Sequence, residues 1–157
     1  MDSSDLAHFI AVHDIKAEIV HLPVETPTVA AAASAVNVKP EQIIKSVLFM
    51  ADGHPVLVVT NGLTRIHRKR LAIVLGLSRR RIKIASVEQV LAITGYVVGA
   101  VPPFGHPTNL PTLLDAGVLA ESTVYGGGGE SNALMRLSPY ELQRVVNSEL
   151  VDIADRN

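Results

Sequence analysis

The feature that most narrows the fold is a pair of β-branched, aliphatic runs, residues 43–50 and 55–61, on either side of Asp52-Gly53. Asp-Gly tolerates the positive φ angles of a two-residue turn. Strand-forming runs on both flanks make a β-hairpin the expected structure. Lys45 interrupts the first run, on what reads as a central strand. A period of two places it on one face with Ile43, Val47 and Phe49. An ammonium group is costly to bury without partners. Lys45 therefore either snorkels at a strand edge or lines a pocket that needs a fixed positive charge.

Helices and strands mix around the hairpin. Ser3, Ser4 and Asp5 offer N-caps to a helix carrying Leu6, Phe9 and Ile10. Residues 18–22 read as a short strand. Residues 28–36 read as an Ala-rich helix with Thr26 as cap and Pro27 at its first position. Pro40 starts a further helical turn. Residues 66–75 form a basic amphipathic helix closed by Gly76, and residues 81–85 alternate as a strand. Ser86 caps a helix that Gly95 ends. Strands are expected at 113–114, 122–126, 133–137 and 150–153, with a glycine turn at 126–129. Ser138-Pro139 opens a last helix over 140–146. Together these give an α+β fold: one domain over residues 1–157, with a curved, mainly antiparallel (mixed) sheet surrounded by helices.

Composition removes several chemistries. Of 157 residues, 48 % are apolar and 18 % charged, which suits one packed domain. The absence of Cys excludes disulfides and thiolate nucleophiles. His8, His13, His21, His54, His67 and His106 form no His-x-x-x-His pair, so no metal is expected. Gly129-Glu130-Ser131-Asn132-Ala133 nearly matches a nucleophile elbow, but no His follows Ser131 and the next segment is strand-like. The glycine run at 126–129 lacks the Lys of a nucleotide-phosphate loop. No cofactor is expected. Residues 1–14 lack a basic start followed by an apolar run, and no stretch nears the roughly 18 apolar residues that cross a bilayer. A cytoplasmic location, with no membrane partner, is the expectation.

Two regions stand out. Formal net charge is −1, yet no acidic residue lies between Asp52 and Glu88. That interval holds Arg65, Arg68, Lys69, Arg70, Arg79, Arg80, Arg81 and Lys83, eight of the 14 basic residues. Such a face docks a polyanion or is merely solvated. The other region is residues 95–107. Its prolines stiffen it and its glycines let backbone N–H groups face a ligand; a rigid connector is the alternative.

Four segments in register resemble the YbaK and prolyl-tRNA-synthetase-associated editing domains. They are Lys45-Ser46, residues 99–107 (Gly-Ala-Val-Pro-Pro-Phe-Gly-His-Pro), residues 110–115 and residues 127–133. The resemblance runs from about Ile15 to the C-terminus. It implies a hydrolase that removes a wrong amino acid from tRNA. Lys45 matches the family's functional lysine. Gly99, Ala100, Val101, Pro102 and Pro103 match its Gly-x-x-x-Pro loop, which holds the terminal adenosine and positions the ester. Gly105 extends the row of backbone donors, and His106 falls where members carry polar residues. Gly128, Gly129, Ser131 and Asn132 match a second pocket wall. Arg68, Lys69, Arg70, Arg79, Arg80 and Arg81 would dock the acceptor stem. The implied partners are aminoacyl-tRNA and an aminoacyl-tRNA synthetase; the oligomeric state is not implied. The sequence departs from the family at Ala100, Pro102 and Glu130, and a carboxylate at Glu130 would alter which amino acid enters. A non-catalytic tRNA-binding module and a small-ester hydrolase are the other readings.

Overall fold

The computed structural model describes residues 1–155. The hairpin forms as expected. Strands β2 (Ile44–Ala51) and β3 (His54–Asn61) pair antiparallel, with Ala51 opposite His54 across Asp52-Gly53. Strand β4 (Ile82–Ile84) flanks β2. Strands β5 (Thr112–Asp115) and β8 (Leu150–Val151) extend the sheet beyond β3 in parallel, giving the order β4-β2-β3-β5-β8. Strands β1 (Ala17–His21), β6 (Val124–Gly127) and β7 (Ala133–Leu137) make a second, antiparallel sheet, β1-β7-β6. A single parallel bridge between Ile43 and Tyr125 joins the two. The expected curved sheet is thus a five-stranded mixed sheet hinged to a three-stranded one, within the α+β class.

Buried strand faces explain the aliphatic runs. Leu57 and Val59 point into a core with Leu48, Tyr96, Leu114 and Met135. Val56 and Val58 point the other way, against Leu71, Ile82 and Ile153. With both faces covered, β3 reads as continuous Val and Leu rather than as an alternation. A third cluster, Leu22, Ala32, Ala33, Ile43 and Leu134, sits under helix α2 (Val29–Ala35). That helix starts one turn position later than expected. Thr28, not Thr26, accepts the hydrogen bond from Ala31 N.

Helix α1 (Ser3–Val12) is capped by Asp2, whose carboxylate accepts from Ser4 and Asp5 N–H groups; Ser3, Ser4 and Asp5 lie inside the helix. Helix α3 (Arg68–Leu75) begins two residues later than expected because His67 caps it, its Nδ1 accepting from Arg70 N. Helices α4 (Val87–Thr94) and α5 (Pro139–Val146) start at Ser86 and Ser138 as read. Asp115 closes the sheet's far end. Fully buried, it accepts from Gly117 N at 2.9 Å, Ile153 N at 3.0 Å and Ala154 N at 3.2 Å. Among the described residues, no helix is long and apolar enough to cross a membrane.

Candidate functional site

The site begins where β4 stops. Strand β4 pairs with β2 only at Phe49, Met50 and Ala51, and one further bond runs from Ala85 N to Leu48 O at 2.9 Å. In an antiparallel strand, alternate residues direct their N–H and C=O groups to the same side. Leu48 faces β4, so Ser46, two residues earlier, presents its N–H and C=O on that side too. Among the described residues, no strand pairs with it there. The strand edge opens onto a cleft of about 280 Å³ lined by Lys45, Ser46, Leu48, Ile84, Ala85, Val90, Val98, Gly99 and Val101.

Lys45 is half-buried at this edge. Strand β2 is not central along its length; at Lys45 it has become an edge strand. The two readings of Lys45 therefore merge, since the edge is also the wall of a cleft. Burial against apolar walls, and secondarily the charge of Arg65, push its pKa below a lysine's usual value. No ion pair or hydrogen bond joins it to another of the described residues. Its charge has no counter-ion among the described residues.

Gly99 lines the same cleft as Lys45, with φ of 89°. That left-handed geometry suits glycine and turns the backbone toward the cleft. Behind it the loop is clamped. Gly129 N donates to Ala100 O at 3.0 Å. Gly127 lies so close that an added Cβ would sit 2.3 Å from Val101 O. Only glycine permits that approach.

The other expected site residues divide. Gly99 and Val101 line the cleft with Lys45. Ala100, Pro102, Pro103 and Gly105 are buried, and the last two face a different hollow of about 370 Å³ together with Phe9, His13 and Asn109. His106, carried over from the resemblance, lines that hollow as well and not the cleft of Lys45. Its Nε2–H donates to Pro102 O at 2.8 Å, and burial, outweighing that bond, lowers its pKa. Gly128 and Gly129 lie buried beneath the loop and not on the cleft wall. Ser131 and Asn132 are exposed outside it, tied to the segment after β1: Thr26 N donates to Ser131 O at 2.9 Å, and Leu22 N to Asn132 O at 2.8 Å. Glu130, expected to influence the pocket, accepts from Ser3 Oγ at the start of α1.

The basic stretch also divides. Arg65, His67, Arg68, Lys69 and Arg79 surround one surface hollow of about 500 Å³, with Asp155 at its rim. Arg70 and Arg81 are turned away, paired with Asp152 at 3.1 Å and Asp52 at 3.4 Å. Arg80 is exposed. Arg65 connects the two features, since its charge reaches Lys45 while its side chain borders the hollow.

Sequence reasoning missed the apolar walls at Leu48, Ile84, Ala85, Val90 and Val98, which β2 and the stretch from β4 through α4 into the following loop supply together. A signal existed for one of them, Val98, which directly precedes Gly99 in the glycine- and proline-bearing stretch 95–107. Among the described residues, no group of three or more His, Asp or Glu stands together as a metal site.

Residues 24–145 match the family model described as the aminoacyl-tRNA editing domain. Protein YwhH of Bacillus subtilis (strain 168), itself uncharacterised, is 30 % identical over 126 residues, covering 80 % of this chain and 78 % of that protein. The proline–tRNA ligase of Bacillus licheniformis is 31 % identical over 113 residues, 72 % of this chain but 19 % of the ligase. A solved structure, described as a candidate trans-editing enzyme for prolyl-tRNA synthetase, superposes with a TM-score of 0.89 at 29 % identity. It covers 98 % of this chain and 97 % of its own.

Proposed function

Because this chain belongs to the aminoacyl-tRNA editing-domain family, we propose that it is a trans-acting deacylase that hydrolyses mischarged aminoacyl-tRNA in the cytoplasm, working as one domain over residues 1–157. The observation that supports this reading is that Lys45 and Gly99 line one cleft at a strand edge that β4 leaves unpaired. A tRNA of the proline type is the substrate this reading favours, given the similarity to proline–tRNA ligases.

In this reading the amino-acid end enters between Ser46 and Gly99. Its amine and carbonyl meet the backbone acceptor and donor of Ser46, as an added strand would. The side chain lies against Val90, Val98 and Val101. Those apolar walls suit Ala or Cys better than Ser or Thr, whose hydroxyl would lose water without a matching partner. Lys45 supplies positive charge to the terminal phosphate or to the oxyanion that forms on the ester carbonyl. Water adds to that carbonyl carbon, the bond to the ribose oxygen breaks, and a proton from that water ends on the departing oxygen, which leaves as the ribose hydroxyl. An ester so activated needs no protein nucleophile, consistent with a cleft lined by neither Cys nor His. Arg68, Lys69 and Arg79 bind backbone phosphates of the acceptor stem, and His106 steadies the loop through Pro102.

The test is single-turnover deacylation of tRNA mischarged with Ala, Cys, Ser or Thr. Lys45→Ala is expected to lower the rate about 10²-fold or more, the scale of a lost oxyanion donor. A variant as fast as wild type removes Lys45 from the mechanism. Binding of every tRNA in the panel without turnover makes the protein a recognition module, and equal turnover of aminoacyl esters lacking tRNA makes it a small-ester hydrolase.

A further inference from the structure

Thr60 is fully buried, and its Oγ1 has no hydrogen-bond partner among the described residues. Buried hydroxyls are rarely left so, because the group loses its hydration and gains nothing in return. Its neighbours on β3 are Val56, Leu57, Val58 and Val59. A valine at position 60 would fill nearly the same volume without the penalty. The hydroxyl therefore calls for an explanation.

The strand register supplies one. Thr60 lies directly opposite Lys45 in the β2–β3 pair. Residues opposite one another in an antiparallel pair share a face, with Cβ atoms about 5 Å apart. Lys45 is the only charged side chain on β2, and it has no carboxylate to hold its head. An ammonium has three N–H donors, and a substrate oxygen takes one or two. A neutral hydroxyl on the same face accepts another without cancelling the charge, which a carboxylate would do.

We propose that Thr60 is a positioning residue for Lys45: its orphaned hydroxyl, across the hairpin, accepts a hydrogen bond from the Lys45 ammonium when substrate occupies the cleft and so aims the charge at the reacting end. This rests on the deacylase reading and on Lys45's part in it. The unmet hydroxyl of the ligand-free protein is a place kept for that ammonium, and its destabilising effect falls away in the complex.

The experiment compares wild type, Thr60→Val, Thr60→Ser, Thr60→Ala, Lys45→Ala and Lys45→Ala/Thr60→Val. Each is measured by single-turnover deacylation of the mischarged tRNA that wild type cleaves fastest, and by urea unfolding. T60V is expected to be at least as stable as wild type yet about tenfold slower in the chemical step, with substrate affinity changed less than twofold. T60S should stay within about twofold of the wild-type rate, whereas T60A, which loses the same methyl group, should be as slow as T60V. In the K45A background T60V should change the rate no further. Should T60V not fold, the T60S and T60A pair decides alone. A slow K45A with a T60V or T60A as fast as wild type overturns the positioning role and leaves the deacylase reading standing. A fast K45A overturns both.

Discussion

Gly127→Ala separates loop placement from stability. Gly127 has an ordinary negative or extended backbone, so alanine meets no conformational penalty there. The new methyl would nevertheless sit 2.3 Å from Val101 O, 2.6 Å from Val101 C and 2.8 Å from Ala100 O. Relief to an ordinary carbon–oxygen contact requires the Gly99–Val101 segment to move by about 1 Å, and a misplacement of that size at a reacting centre costs about 10²-fold in rate. Overpacking of this kind destabilises a fold by about 1–3 kcal/mol, which leaves an ordinary domain folded. Gly53→Ala in the hairpin turn is the control. Its φ is 81° and no atom lies within 4 Å, so alanine there strains the backbone by about 1 kcal/mol and touches nothing in the cleft. Both variants should unfold at lower urea than wild type, but only G127A should lose deacylation of mischarged tRNA, by about 10²-fold. A folded G127A at wild-type rate, or a G53A equally impaired, refutes the claim that loop position governs the chemistry.

The remaining predictions concern binding, stability and pH. Replacing Arg68, Lys69 and Arg79 with Gln should flatten the salt dependence of tRNA binding by about one unit of log–log slope or more, measured by fluorescence anisotropy between low and moderate salt. The pair R70Q and R81Q should change it less, because their guanidinium groups are already engaged with Asp152 and Asp52. Asp115→Asn leaves one acceptor oxygen and turns an N–H2 group toward the donor or donors on the other side, Gly117 N–H at the least, and should lower urea stability by about 1–3 kcal/mol; no loss would mean that the latch is redundant. Glu141 is held down to about 2, first by its bond to Arg144 and then by the Lys16 N–H. A depressed carboxylate stabilises the fold above its unfolded value of 4.5 and loses that effect as pH falls toward about 2. The Tm gap between wild type and Glu141→Gln should therefore be present at neutral pH and close over that acid window. A gap independent of pH would show that the charge contributes nothing.

Local chemistry made much of the fold legible. The Asp-Gly turn marked the hairpin, and Ser86 and Ser138 are the caps the sequence indicates, although the last helix begins at Pro139, one residue before the expected 140. Thr26 was the wrong cap for α2 because two threonines flank Pro27, and only the fold decides which hydroxyl meets Ala31 N. Asp115 passed unnoticed. Its partners Ile153 and Ala154 are distant in sequence, and nothing about a lone Asp after two leucines announces burial. At the site, Lys45 and the Gly-Pro loop were visible as oddities of pattern, whereas His106 and Ser131 were not separable from cleft residues. Whether a side chain in a tight loop faces one hollow or the next depends on a carbonyl contact such as His106 to Pro102, and sequence carries no trace of it.

The cleft itself has a local cause that links these observations. Strand β4 is three residues long because the Arg79–Arg81 turn precedes it and the Ser86 cap follows. Ser86 Oγ accepts from Gln89 N at 3.1 Å, while Gln89 Oε1 accepts from Ser86 N at 2.9 Å. This reciprocal cap turns the chain into α4 just after Ala85 has bonded Leu48. Had the strand run two residues further, it would have covered Ser46 and left no edge. A paired edge would also have turned Lys45 into a buried charge beside an orphaned hydroxyl, an arrangement too costly to keep. The helix cap at Ser86 thus decides that β2 ends its pairing with β4 at Leu48, and the edge left open on that side is what makes a half-buried lysine and a buried threonine tolerable together.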